Sequence, residues 1–221
     1  MSVREMTGPG IQAKRIYVWD PLIRIVHWGL VAAFALAFLS AEDEAEGPSA
    51  LHIWGGYVIA GLVAFRVLWG FVGPRHARFS DFVRGPVATV KYMVDLIAGG
   101  ARRYVGHSPA GGAMTLALLL CLTMTVSTGI IAYGGFGKGL LADAQSAVTV
   151  SAHAEEDSEH EKSSGEGRTN GESAIGDLHS ALANITLALV VLHILGVGLA
   201  SFVHRENLVA AMVTGSKRAD N

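Results

Sequence analysis

Four histidines stand where ionisable groups are rare. His27, His52, His179 and His193 lie inside or at the edge of long apolar runs of a 221-residue chain. Ionisable residues at membrane depth are expensive and usually functional, and neutral imidazole is a common metal ligand. The stretch LHSALANITLALVVLHILGVGLASFVH, residues 178–204, carries His179, His193 and His204. His179 and His193 are 14 residues apart, close to four helical turns at about 3.6 residues each, so both rings fall on nearly one helix face. If each run is a helix, His27 and His193 both lie roughly 21 Å below the outer end of their segments at about 1.5 Å per residue. His52 and His179 sit level with each other at that outer end. Two imidazoles from facing helices, above and below a planar metal, are what a six-coordinate haem requires. Two such pairs, His27 with His193 and His52 with His179, predict two haems stacked across the membrane.

Anionic haem propionates need cationic partners, and two arginines suit that role. Arg24 precedes His27 by one turn, and Arg66 follows His52 by 14 residues, on the same face and at the depth of the inner pair. The competing reading for Arg66 is snorkelling to headgroups from near the end of its span. His204 has the face of His193 but lies roughly 16 Å deeper, which makes it an interfacial residue. His76 and His107 fall in a basic connection. His153 and His160, in HAEEDSEH, read as part of a solvated acidic loop more than as a weak metal site.

The elements that must hold these groups are four apolar stretches long enough to span a bilayer, about residues 21–40, 50–72, 112–134 and 178–203. With 51% hydrophobic and 16% charged residues and mean hydropathy +0.39, the chain is an all-α integral membrane protein. Asp20 before Pro21 predicts an N-cap and first helical residue. Arg24 and His27 interrupt what would be the uninterrupted core of a cleaved signal peptide. Basic residues gather before the first span (Arg4, Lys14, Arg15), in the connection 73–111 (Arg75, Arg78, Arg84, Lys91, Arg102, Arg103) and in the tail (Arg205, Lys217, Arg218). By the positive-inside rule both termini and this connection are cytoplasmic, giving one four-helix membrane domain in the bacterial inner membrane. The outer loop AEDEAEGPS has no basic residue, and residues 135–176, Gly/Ser-rich and acidic, predict a flexible periplasmic loop. Within the connection a short amphipathic helix is predicted near 86–98, with Val87, Val90, Met93, Val94 and Ile97 on one face, lying at the interface. A net charge of −2 with segregated charges gives no basis for nucleic-acid binding. The single cysteine, Cys121, allows neither an internal disulfide nor covalent C-x-x-C-H haem attachment. The third span has no histidine, and its Met and Cys residues read as packing or lipid-facing groups.

With these positions set, the chain resembles the bacterial cytochrome b561 family that includes the b-type cytochrome subunits of nickel-iron hydrogenases. The matching pieces are VWDPLIRIVHWGL, LHIWGGYVIAGLVAFRVLWGFVGPRHARFSDF, GHSPAGGAMTLALLL and LHSALANITLALVVLHILGVGLASFVHRENLVAAMVTGSKR, in that order. The resemblance implies a four-helix bundle with two haems b that passes electrons between a redox partner, a hydrogenase-like protein or a c-type cytochrome, and the quinone pool. It places the family's histidines on His27, His52, His179 and His193. The loop 135–176 is longer than the family's connection. The resemblance implies an electron-transfer subunit of a respiratory oxidoreductase more than an independent enzyme. An alternative is a stand-alone quinone-linked oxidoreductase acting on a small molecule such as superoxide, although acidic outer loops disfavour an anion. A haem-free proton or metal transporter would call for acidic residues beside the histidines in the spans, and there are none. His107, Arg102, Arg103 and His204 are candidates for a quinone site. The sequence leaves open the electron direction and any oligomer.

Overall fold

The computed structural model describes residues 15–41, 48–135 and 164–219. Four long helices carry the apolar runs: α1 (Pro21–Leu39), α2 (Ala50–Val72), α5 (Pro109–Gly135) and α6 (Ser164–Val203). Between α2 and α5 lie a 3-10 turn at Arg75–Ala77, the one-turn α3 (Phe79–Phe82) and α4 (Pro86–Ile97). A short α7 (Leu208–Thr214) follows α6, and strand β1 (Arg15–Tyr17) pairs antiparallel with β2 (Ser216–Arg218).

Local sequence fixes the ends. Asp20 accepts from the Ile23 N–H at 3.1 Å with Pro21 behind it, satisfying one of the first-turn donors that a helix leaves unpaired. Ser49 accepts from the His52 N–H at 3.1 Å and donates to the Ser40 carbonyl at 2.9 Å, which holds the start of α2 against the end of α1. Ser108 caps α5 through the Gly111 N–H, and Asn207 caps α7 through the Ala210 N–H. Gly215, at φ 82°, ends α7 in the left-handed region that glycine tolerates and turns the chain into β2.

Helices α1 and α2 form one hairpin and α5 and α6 another. Ala33, Ala37, Ile59, Val63, Leu119 and Leu122 build the apolar core between α1, α2 and α5. Small residues bring α1 and α2 together: a Cβ on Gly55 would lie 3.0 Å from that of Ala37, the close approach on which helix packing in lipid depends. The outer faces of the four spans are apolar and exposed, as at Leu39, Leu68, Leu195 and Phe202, the surface expected against hydrocarbon and not water. The described residues therefore form a multi-pass membrane helical bundle.

Helix α6 packs closely on α5, with further close backbone approaches to α4 and α7; toward α1 and α2 it reaches across through histidine rings. The β1–β2 ribbon puts both ends of the described chain on one side of the bundle, as an even number of spans requires. The bundle end remote from the ribbon is called the outer end below.

One stretch differs from expectation, while α4 forms where it was expected. Residues 164–176, read from composition as part of a flexible loop, are helical and extend α6 outward. Once a span has nucleated a helix, adding residues to its end is cheap, and hydropathy does not register a polar extension. His153 and His160 lie outside the described residues. The α4 helix does form, but Val87, Val90, Val94 and Ile97 point away from the bundle, while Tyr92 and Leu96 face inward. Its apolar face is turned to the surroundings at the end of the spans, as an interfacial helix requires.

Candidate haem sites

The histidines meet in two pairs. His27 of α1 faces His193 of α6 with ring centres 6.4 Å apart, and His52 of α2 faces His179 of α6 at 5.9 Å. Half of each separation is close to 3 Å, and a metal bound through an imidazole nitrogen at about 2 Å stands roughly that far from the ring centre. Each pair is therefore spaced to share one metal between its rings. No group of three or more His, Cys, Asp or Glu side chains comes together among the described residues. Two protein ligands per site suit an iron whose four in-plane ligands come from a porphyrin, and leave a free divalent ion under-coordinated.

The outer pair is tautomerically set. Nδ1 of His52 lies 2.9 Å from the Ala37 carbonyl, and Nδ1 of His179 lies 2.9 Å from the Thr125 carbonyl. A carbonyl only accepts, so both Nδ1 atoms carry the proton and each Nε2 keeps its lone pair for a metal. This is the orienting hydrogen bond that metal-bound histidines characteristically make. Gly129 makes it possible on the α5 side. A Cβ there would sit 2.8 Å from Cε1 of His179 and 3.1 Å from its Nδ1, inside van der Waals contact.

Buried polar atoms without partners gather on the ribbon-side halves of α1 and α2. Nδ1 of His27, Nε of Arg24, Nη1 of Arg66 and Nε1 of Trp69 are buried with no hydrogen-bond partner among the described residues. Arg66 is only 6% exposed, its guanidinium 5.3 Å from the Phe79 ring centre and 5.9 Å from that of Phe82. Snorkelling is thereby excluded, because the charge faces the interior. A buried cation is costly by several kcal/mol, roughly the effective desolvation penalty of one ion, and the carboxylate field of Asp20 offsets only part of that cost. The unmet capacity here is for a hydrogen-bond acceptor carrying negative charge, and haem carboxylates fit it.

The four candidates for a quinone site separate. His107 is packed between Trp19 and Phe82, with ring centres at 4.7 and 4.3 Å. Burial, then the positive fields of Arg66 and Lys217, lower its pKa to about 3, so it is a neutral core residue. Arg103 grips Glu206 through two hydrogen bonds of 2.9 and 3.2 Å and also donates to the Arg218 carbonyl. His204 lies 3.2 Å from the Tyr92 hydroxyl, beside α4; burial, then Arg103, lowers its pKa. Arg102 is exposed.

Sequence reasoning passed over α5 because it holds no histidine. Its contribution is TVSTG, residues 125–129, which supplies the acceptor carbonyl of Thr125, the Thr128 hydroxyl 3.4 Å from His179 Nδ1, and the gap at Gly129. The available signal was a cluster of hydroxyls and one glycine in an otherwise apolar span.

Paired histidines at two levels of a four-helix membrane bundle define a membrane cytochrome of the b type. A family model described as prokaryotic cytochrome b561 matches residues 18–215, and the chain belongs to that family. It is accordingly a haem b protein of membrane electron transfer. Two relatives are each described as a probable Ni/Fe-hydrogenase B-type cytochrome subunit. The one from Azotobacter chroococcum mcd 1 is 27% identical over 170 residues, 62% of this chain and 69% of the relative. The one from Bradyrhizobium diazoefficiens is 26% identical over 153 residues, 57% of this chain and 60% of the relative. No solved structure matches.

Proposed function

We propose that the chain binds two haems b, one between His27 and His193 and one between His52 and His179. It carries electrons through them between a redox partner protein and the quinone pool. The observation that carries this reading is the spacing of the two ring pairs, 6.4 and 5.9 Å. Haem iron, when bound, supplies the one-electron chemistry, and the side chains tune and position it. His52 and His179 are oriented by Nδ1–H hydrogen bonds to backbone carbonyls, which turn each Nε2 toward the facing ring. Arg66, with Arg24, offers positive charge to the propionates of the inner haem, and the apolar core keeps both levels dry. In this reading both termini, the ribbon and the connection 73–111 are cytoplasmic, because the arginines and lysines gather there.

The names of the relatives favour a hydrogenase-like partner, and the acidic outer loop AEDEAEGPS favours a protein surface over a small anion such as superoxide. The test is a reduced-minus-oxidised spectrum of the purified protein with haem quantified per chain. Two haems of b type are expected, with His193→Ala and His179→Ala each removing a different one. Absence of b-type bands would refute the reading.

A further inference from the structure

Thr186 is the most deeply buried polar residue among those described, with no exposed surface. It lies seven residues from His179 and seven from His193, about two turns from each and therefore on their face of α6. Its hydroxyl lies 2.8 Å from the Leu182 carbonyl and 3.2 Å from the hydroxyl of Thr125 on α5. Thr125 is buried as well, and its hydroxyl reaches its own helix at the Cys121 carbonyl, 2.8 Å away. Each hydroxyl has one proton, so one of the two donates across the helix pair while the other accepts and donates within its helix.

The carbonyl that takes the Nδ1 proton of His179 belongs to Thr125 itself. Residue 125 is thus tied to α6 twice, by its backbone to the ring at 179 and by its side chain to the hydroxyl at 186. Within α5 the carbonyl also accepts from the Thr128 hydroxyl at 2.9 Å; if the side-chain bond is lost, the imidazole is the one hydrogen bond that still ties residue 125 to α6. Helix packing alone would be served by any small apolar pair; hydroxyls at both positions are explained by what the carbonyl does.

We infer that Thr125 and Thr186 are positioning residues for the outer haem, locking the backbone acceptor that sets the electron-donating strength of His179. This rests on the haem-ligand reading above. An Nδ1–H donor held tightly to a carbonyl makes the imidazole a better donor to iron, which favours the ferric state and lowers the potential. Loosening that bond raises it. Among the described residues His27 and His193 make no hydrogen bond to Thr125 or Thr186, so the inner haem should respond less.

The experiment is a redox titration of the full-length protein, wild type against Thr186→Val and Thr125→Val, with haem counted in each. The outer haem is identified as the component missing in His52→Ala. Each single variant should raise the midpoint potential of the outer haem and leave the inner one in place. The double variant should shift no further than the larger single, since both remove one shared bond. Thr186→Ser should restore the wild-type potential. Should the valine variants fail to hold haem, Thr186→Ala against Thr186→Ser reads the hydroxyl with little change in packing, and only the alanine form should shift. Unmoved potentials in haem-replete variants, equal shifts of both haems, or a serine form shifted like the others would overturn the inference. A wild-type protein with fewer than two haems would instead refute the ligand reading, and this inference with it.

Discussion

Replacing Gly129 by alanine tests the outer site through one methyl group. The added Cβ would meet Cε1 of His179 at 2.8 Å, Nδ1 at 3.1 Å and Nε2 at 3.6 Å. Carbon contacts settle at about 3.5–4.0 Å, so the ring must retreat by roughly 0.7–1.2 Å. The Nδ1 to Thr125 carbonyl distance, now 2.9 Å, would then approach or exceed the range of a useful hydrogen bond. Nε2 would move with the ring, beyond the tolerance of about 0.5 Å within which a site must be held. Loss of an orienting partner weakens metal affinity by about 10–100-fold, or about 1.4–2.8 kcal/mol. The helix itself gains, since alanine is favoured over glycine by about 1 kcal/mol in a helix interior, so a defect cannot be assigned to unfolding of α5. The assay is haem content and redox titration of purified Gly129→Ala. The expected result is weakened or absent outer haem with the inner haem retained. Two haems at wild-type potentials would refute the reasoning.

Arg66→Met removes the buried cation while keeping an apolar stem. The inner haem should titrate lower by about 60 mV or more, the one-electron equivalent of a tenfold change, with the outer haem unaffected in the same titration. His204→Ala should leave both haems in place by pyridine haemochrome assay, because that histidine bonds Tyr92 and not a paired histidine. Burial acts on Glu206 most strongly and raises its pKa, but the hydrogen bonds from Arg103 and the Arg218 N–H, with Lys217, bring it below its ordinary 4.5. Its stabilising contribution is thus complete above pH 4.5 and fades as pH falls through the lower folded value. Glu206→Gln should lower stability at neutral pH by about 1.5–3 kcal/mol and flatten the acid limb of thermal unfolding measured in detergent.

The four spans were legible because a bilayer demands long uninterrupted apolar runs, and 50–72 agrees with α2 to the residue, while the starts of α5 and α6 lie earlier than 112 and 178. Which histidines meet was legible for a related reason. Helical rise and a fixed starting side convert sequence position into depth, so His27 could be matched with His193 before any contact was known. The α5 seat was not legible, because Thr125 acts through its carbonyl, an atom every residue has, and Gly129 acts through the side chain it lacks. Nor was the ribbon, whose strands are three residues long and separated by nearly the whole chain. Arg66 was ambiguous from position alone; the fold shows its guanidinium buried against Phe79 and Phe82 and not exposed at the end of its span.

The ribbon has a consequence for biogenesis. Residues 15–17 leave the ribosome early, yet their pairing partner at 216–218 emerges only after every span has been made. A chain in which one span failed to thread would leave the two strands on opposite faces of the bilayer, where they cannot meet. Zipping of the ribbon, with Val18 and Trp19 donating to the Gly215 carbonyl, therefore distinguishes a fully inserted molecule from a misthreaded one. A quality-control protease that recognises an unpaired strand would spare only the former.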